Sequence, residues 1–301
     1  RTVDYAAGRN RYIGYLISIA TRSFKNKKVG LDCANGSASA IAKNVFDALG
    51  AETHVIHNNP DGVNINTNCG STHIEGLQKY VVENGLDVGF AYDGDADRCL
   101  AVDEKGREID GDKIIAILAK DLKGAGKLPE DTAVVTVMSN LGFIEYMKQN
   151  GMKTAVTAVG DRYVLEEMRD KGYVIGGEQS GHIILLAHST TGDGELTAGM
   201  LLRTMAEKKC RMSELNDVYA RFPQVMVNIK ATPEEKARYK EDEYIAGFIE
   251  SQQQSLMGLG RVLVRVSGTE PLIRIMVEGR DEAAIAASAE RIAVKINERI
   301  H

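Results

Sequence analysis

The sequence predicts an α/β protein of two related βαβ-type domains with mixed sheets, followed by a smaller α+β C-terminal domain. Three observations predict it. Short apolar runs alternate with segments of helical spacing through the first two thirds of the chain, the pattern of strands joined by crossover helices. The strand–helix–strand order recurs about a hundred residues further on. The last stretch then changes to several strands and one closing helix.

In chain order, "KKVGLDCANG" (27–36) reads as a strand ending in a turn. "SASAIAKNVFDALG" follows with helical spacing and a terminal Gly50, a common helix stop, and "AETHVIHN" is a second strand. "LDVGFAY" and "CLAVD" read as strands on either side of an acidic turn. The repeat of this build is "TAVVTVMSN" (132–140), helical "LGFIEYMKQNG" and strand "MKTAVTAVG" (152–160). Parallel pairing with right-handed crossovers is the expectation for both units. Pro223 and Pro233 bracket strand-like "QVMVNIKA", and a polar segment, strands "GRVLVRVSG" and "LIRIMVEG", and the helix "DEAAIAASAERIAVKINERI" complete the chain. The predicted domains are residues 1–108, 109–223 and 224–301.

At 301 residues the chain exceeds one ordinary core. A net charge of −5 argues against a nucleic-acid partner, which calls for a basic face. No apolar run approaches the roughly 20 residues of a membrane span, and no secretory leader is read at the start. Cys33, Cys69, Cys99 and Cys210 show no CxxC spacing, as expected of reduced core thiols. Together these predict a cytoplasmic protein. The first residue is Arg1 rather than Met, so a piece of a longer protein is expected.

Three loops carry chemistry. In "YDGDADRCL", alternation places Asp93, Asp95 and Asp97 on one side of an extended loop. Three carboxylates so close repel unless a cation sits among them, and oxygen ligands with room for substrate suit Mg²⁺. An EF-hand loop is the rival, since Glu104 falls at the twelfth position from Asp93, but Arg98 stands where that loop needs glycine. A solvated acidic turn is the plainer reading. In "GGEQSGH" (176–182), Glu178, Ser180 and His182 alternate outward and suit sugar hydroxyls. His182 is also a candidate proton carrier, and a polar surface turn is the alternative. In "RVSGTEP" (265–271), Arg265, Ser267, Gly268 and Thr269 fit a phosphate through a cationic fork and backbone N–H groups, with Arg274 either supporting the same anion or pairing with a carboxylate. An ordinary hairpin turn is the alternative. Metal, hydroxyls and phosphate together point to a phosphosugar handled in a cleft between domains.

At these motifs the chain resembles the α-D-phosphohexomutases, and within them the phosphoglucosamine mutases. "DGDADR" is similar to their magnesium loop, "GGEQSGH" to their sugar-binding loop and "SGTEPLIR" to their phosphate-binding loop. "PDGVNINTNCGSTH" (60–73), "VGDRYV" (159–164) and "TTGDG" (190–194) extend the resemblance over essentially the whole chain, with "PDGVNINTNCGSTH" pointing to the glucosamine branch. Val266 departs from it, standing where that branch usually has proline.

The resemblance implies four domains, of which this chain accounts for the second, third and fourth. The phosphoserine motif of the first, Ser-His-Asn-Pro, is absent from these residues, so the chain alone is expected to be inactive. It is also expected to be monomeric, the full-length protein being a possible homodimer. For the complete enzyme the resemblance implies interconversion of glucosamine 6-phosphate and glucosamine 1-phosphate through glucosamine 1,6-bisphosphate, feeding cell-wall amino-sugar synthesis. It implies Mg²⁺ on Asp93, Asp95 and Asp97, with Arg98 on the transferring phosphoryl group unless it only offsets the aspartate charges. Glu178, Ser180 and His182 would hold the sugar, and Asp161 and Arg162 would border the cleft unless they form a structural ion pair. Arg265, Ser267, Gly268, Thr269 and Arg274 would hold the phosphate that is not reacting. Phosphomannomutases and phosphoglucomutases of the same family, and a non-catalytic phosphosugar-binding module, are the alternatives.

Overall fold

The computed structural model describes residues 5–20, 22–256, 258, 260–268 and 270–301. They form two compact units, the first made of the chain to Ser139 with Phe143–Tyr219, the second of Asn140–Gly142 with Ala220–His301. Among the described residues no helix is long and apolar enough to cross a membrane.

The first unit opens with helix α1 (Ala6–Ile19), which the sequence reading leaves unassigned. Its only fully buried side chain is Leu16, so little apolar periodicity marks it. Then come β1 (Lys28–Asp32), α2 (Ala42–Ala48), β2 (Glu52–Ile56), α3 (Glu75–Glu83), β3 (Val88–Tyr92), β4 (Cys99–Asp103) and β5 (Glu108–Ile109). The strands order as β2-β1-β3-β4-β5, with β1 parallel to β2 and β3 and β4 antiparallel to β3 and β5. The helix expected over "SASAIAKNVFDALG" is broken. Ser37–Ala40 is a 3₁₀ turn, and α2 starts only after Ile41 leaves helical geometry at φ −131°. The cause is tertiary: the Ser37 N–H is drawn to Gly94 O at 2.9 Å.

Next follow α4 (Gly111–Gly124), β6 (Thr132–Thr136), α5 (Leu141–Gln149), β7 (Lys153–Thr157), α6 (Asp161–Lys171), β8 (Ile175–Gly177), β9 (Ile183–Leu185), α7 (Gly194–Lys208) and α8 (Met212–Asn216). The order β7-β6-β8-β9, with β6 parallel to β7 and β8 and β9 antiparallel to β8, repeats the topology of the first sheet. Every residue of β3, β4 and β6 is buried, which is why these strands read as continuous apolar runs rather than alternations. One core spans both sheets: Phe24, Phe46 and Phe90 stack in series, and the same cluster contains Ile114, Ile115, Phe143 and Met147. The position 108/109 falls within β5 of the first sheet, and inside one core.

In the second unit, β10 (Gln224–Lys230), α9 (Pro233–Glu241), α10 (Glu243–Ser255), β11 (Gly260–Val266), β12 (Leu272–Gly279) and α11 (Glu282–Ile300) follow in turn. The sheet β10-β12-β11 is antiparallel throughout. Ile285, Ala289, Ile292, Ile296 and Ile300 form the stripe of α11 that covers Ile229, Ile273, Ile275 and Val277, at the three- and four-residue steps of an amphipathic helix. The segment read only as polar folds into α9 and α10. Thr232 and Glu235 cap α9 reciprocally behind Pro233, a helix start legible in "TPEE".

Candidate functional site

Strand β3 ends at Tyr92, and the chain turns through Asp93–Asp97 before β4. The three carboxylates are brought together by this turn, not by extended alternation, because Ala96 takes a left-handed backbone at φ 62°. One oxygen from each of Asp93, Asp95 and Asp97 lies within 4.8 Å of the others. The Arg98 N–H donates to Asp93 Oδ1 at 3.1 Å, and the Ala96 N–H to Asp93 O at 3.2 Å, closing the turn. Burial, reinforced by the neighbouring Asp97 and Asp95 charges, pushes the Asp93 carboxyl up to about 6. Asp97 Oδ1 is buried without a hydrogen-bond partner, and Arg98 Nε stands 3.7 Å from it and 3.8 Å from Asp93 Oδ2. An all-oxygen set with an unsatisfied acceptor fits a hard divalent cation such as Mg²⁺.

The 176–182 loop is stitched to this turn. Arg98 and His182 form an antiparallel bridge, and the Cys99 N–H donates to Gly181 O at 3.0 Å. Gly181 has φ 95°, and a Cβ there would stand 2.5 Å from Cys99 O, so the close approach requires glycine. From the other side the Gly111 N–H, at the start of α4, donates to Gln179 O at 2.9 Å.

His182 does not alternate outward as the spacing predicts; it is 4 % exposed. Its Nε2 accepts the Gly192 N–H at 3.0 Å, which assigns the ring proton to Nδ1 and makes that nitrogen the donor to Asp97 Oδ2 at 3.1 Å. Asp161 Oδ2 lies 4.0 Å from Nε2. Glu178 Oε1 accepts the Gly160 N–H at 3.1 Å, so Glu178 and Asp161 lie on one side of the loop, with Ser180 exposed. Arg162 is mostly exposed and pairs along α6 with Glu166 Oε1 at 2.7 Å.

Three contributors escape the sequence reading as site residues. Asp193 caps α7 through Leu196 N–H at 2.9 Å and accepts from the Tyr12 hydroxyl at 2.7 Å. The Gly194 N–H reaches Ala96 O at 2.9 Å and so supports the acidic turn. Glu195 is buried beneath it, accepts from Tyr92 Oη at 3.3 Å, and is pushed up to about 8 by burial and the nearby Asp193 charge. The available signal was "TGDGE", an N-cap aspartate followed by a helix.

In the second unit, Arg265 and Arg274 are directly opposite on β11 and β12, so both side chains project from the same face. Like charges in that position repel unless an anion or carboxylate intervenes, and Arg274 is paired with Glu270. Ser267 is buried. Its N–H is committed to Leu272 O at 2.9 Å, and its Oγ accepts the Glu270 N–H at 3.1 Å. The backbone nest expected at this loop therefore lacks the Ser267 N–H. Gly268 is exposed, and Thr269 lies outside the described residues. Lys236 of α9, absent from the sequence-based set, donates to Ser267 O at 2.9 Å and to Glu270 O.

Family descriptions match along the chain in this order. Residues 10–106 match the phosphoglucomutase/phosphomannomutase α/β/α domain II, residues 110–222 the α/β/α domain III and residues 226–295 the C-terminal domain. The chain belongs to the phosphoglucomutase/phosphomannomutase family. Within that family, the phosphoglucosamine mutase of Lachnoclostridium phytofermentans is 52% identical over all of this chain and 67% of its own length. That of Caldicellulosiruptor saccharolyticus is 52% identical over 96% of this chain and 65% of its own. The chain thus spans about two thirds of the length of these curated relatives. Among solved structures, N-acetylphosphoglucosamine mutase of Aspergillus fumigatus superposes with a TM-score of 0.81 at 20% identity, covering 97% of this chain and 64% of that one. The same protein in complex with GlcNAc-6P and magnesium gives 0.79 at 21% identity, over 97% of this chain and 66% of that one. At such identity these structures support the phosphohexomutase fold.

Proposed function

We propose that these residues are the metal-, sugar- and phosphate-holding part of a phosphoglucosamine mutase, which interconverts glucosamine 6-phosphate and glucosamine 1-phosphate through a phosphoserine and glucosamine 1,6-bisphosphate. The observation that carries this reading is the pairing of the three-aspartate turn with the Glu178–His182 loop, in a chain half identical to phosphoglucosamine mutases. In this reading Asp93, Asp95 and Asp97 hold Mg²⁺, which when bound supplies charge neutralisation to a transferring phosphoryl group. Arg98, half exposed at the rim of the turn, faces the same phosphoryl oxygens. Glu178 and Ser180 bind sugar hydroxyls and Asp161 borders them. Arg162 is a weaker member, since Glu166 already engages it.

His182 takes a positioning role. With Nε2 accepting from Gly192, its free lone pair is already used, and the ring orients Asp97 rather than carrying a proton to substrate. Arg265 and Arg274, with Ser267, Gly268 and Thr269, hold the non-reacting phosphate. The phosphoryl carrier comes from outside these 301 residues, which contain no Ser-His-Asn-Pro motif, so the isolated chain binds ligand without turning it over. A cytoplasmic setting and a monomeric isolated chain belong to the same reading, the former consistent with four free cysteines.

Titration calorimetry tests it. The expected result is Mg²⁺ binding abolished in D93N/D95N/D97N, and glucosamine 6-phosphate binding tighter than that of mannose 6-phosphate or glucose 6-phosphate. Preference for either neutral hexose would move the assignment to another branch of the family, and binding of none would overturn it.

A further inference from the structure

A second group of donors lies at the same sheet edge as the aspartate turn but shares none of its residues. Asp32 ends β1, His57 follows β2, and Cys69 lies in the 60–73 segment. Strands β2 and β3 flank β1 on either side, so the C-terminal end of β1 is a topological switch point, where open α/β sheets bind ligands. One donor atom from each of Asp32, His57 and Cys69 lies within 4.8 Å of the others.

The details favour coordination over a plain ion pair. Asp32 is fully buried, and its oxygens accept the Ala34 and Gly70 N–H groups at 3.0 Å each. His57 Nδ1 stands 3.0 Å from Asp32 Oδ2, yet is a buried atom without an aligned hydrogen bond. A nitrogen and an oxygen close together but not aligned for a shared proton are placed as two ligands of one ion are. Cys69 is fully buried, and the Asn35 amide lies 3.9 Å from its sulfur. Five of the ten non-glycine residues with left-handed backbones, among those described, are in these loops: Ala34, Asn35, His57, Asn66 and Asn68. The His57 side chain is 37% exposed, which leaves a solvent side for entry and for a fourth ligand.

We propose that Asp32, His57 and Cys69 form a zinc-class metal site, distinct from the magnesium turn. One carboxylate, one imidazole and one thiolate match the N/S/O donors zinc prefers, and sulfur disfavours Mg²⁺. On binding, the Cys69 S–H proton leaves to solvent as the sulfur–metal bond forms, and neutral His57 ligates through Nδ1 with its proton on Nε2. Because the Asn66 N–H bonds Ala34 O at 2.9 Å and the Ser37 N–H bonds Gly94 O at 2.9 Å, the ion ties the 60–73 segment to the loop that adjoins the aspartate turn.

Cobalt(II) titration of the full 301-residue chain tests this, since a thiolate–cobalt bond gives a near-ultraviolet charge-transfer band. The expected result is a one-to-one band erased by equimolar Zn²⁺, unaffected by a large excess of Mg²⁺, retained in D93N/D95N/D97N and lost in C69S. H57Q, which keeps the thiol and serves if C69S misfolds by circular dichroism, weakens cobalt binding by about tenfold or more, since losing a ligand exceeds the 10–100-fold effect of losing a partner behind one. No band in the parent chain, a band that survives C69S, or unchanged affinity in H57Q overturns the proposal and leaves Asp32 and His57 as an ion pair.

Discussion

His182 Nδ1 and Asp97 Oδ2 are 3.1 Å apart, and the imidazole is fixed by the Gly192 N–H on its other nitrogen. A buried ring held at both ends presents one carboxylate oxygen of the acidic turn and leaves Asp97 Oδ1 unsatisfied beside Asp93 and Asp95.

In the proposed reading, replacing that ring is expected to change metal binding before it changes anything on the sugar side. H182A is expected to lower Mg²⁺ affinity about 10- to 100-fold, the usual effect of losing a partner behind a metal ligand. Calorimetry checks it, with glucosamine 6-phosphate affinity as the comparison. A variant that keeps its Mg²⁺ affinity would remove the positioning role.

Glu195 predicts a pH dependence of stability. Its folded value of about 8 stands above the ordinary 4.5, so the folded state holds the proton more tightly than the unfolded chain does. The stabilisation is complete below pH 4.5, declines as pH rises and is gone above about 8. E195Q carries no such charge, so its advantage over the parent grows by up to about 1.4 kcal/mol per pH unit between those limits. Urea midpoints from pH 5 to pH 9 decide it, and parallel profiles for the two proteins would exclude a protonated Glu195.

Gly111 gives a steric prediction. A Cβ there would stand 2.0 Å from Glu178 O, and the backbone carbonyl is not free to yield as a side chain would. G111A is expected to displace the 176–182 loop, costing about 1–3 kcal/mol as overpacking does and weakening sugar phosphate binding more than Mg²⁺ binding. Thermal unfolding and paired calorimetric titrations measure the two effects.

The opposed arginines predict the phosphate response. R265A and R274A are each expected to weaken glucosamine 6-phosphate binding by about 1.5–3 kcal/mol, the range for hydrogen bonds to charged groups. K236A, whose ammonium binds loop carbonyls rather than ligand, should instead lower the melting temperature of the second unit with a smaller loss of affinity. Equal losses in all three variants would put Lys236 on the phosphate itself.

How much of this was legible follows physical lines. β3, β4 and β6 could be read because burial on both faces demands unbroken apolar runs, and α11 because its stripe faces a single sheet. α1 escaped because Leu16 alone is fully buried, and α2 was drawn too long because Ser37 answers to Gly94, a residue remote in sequence. At the site, residue type and spacing located the aspartates, but the left-handed Ala96 that gathers them follows from tertiary packing against Gly194. His182 was read as outward because a period of two was assumed through a segment that contains a left-handed glycine. Glu195 and Lys236 act through contacts that no local pattern encodes.

Helices α4 and α7, packed against strands of both sheets, bind the two sheets of the first unit into one interior, while the second unit keeps a separate one. Transplanting segments between homologues should respect that division. A chimera cut near residue 222 leaves each apolar interior whole, with Asn140–Gly142 the one part of the second unit taken from the other parent, whereas one cut near residue 108 joins half-interiors that never evolved against each other and should yield insoluble or loosely packed protein.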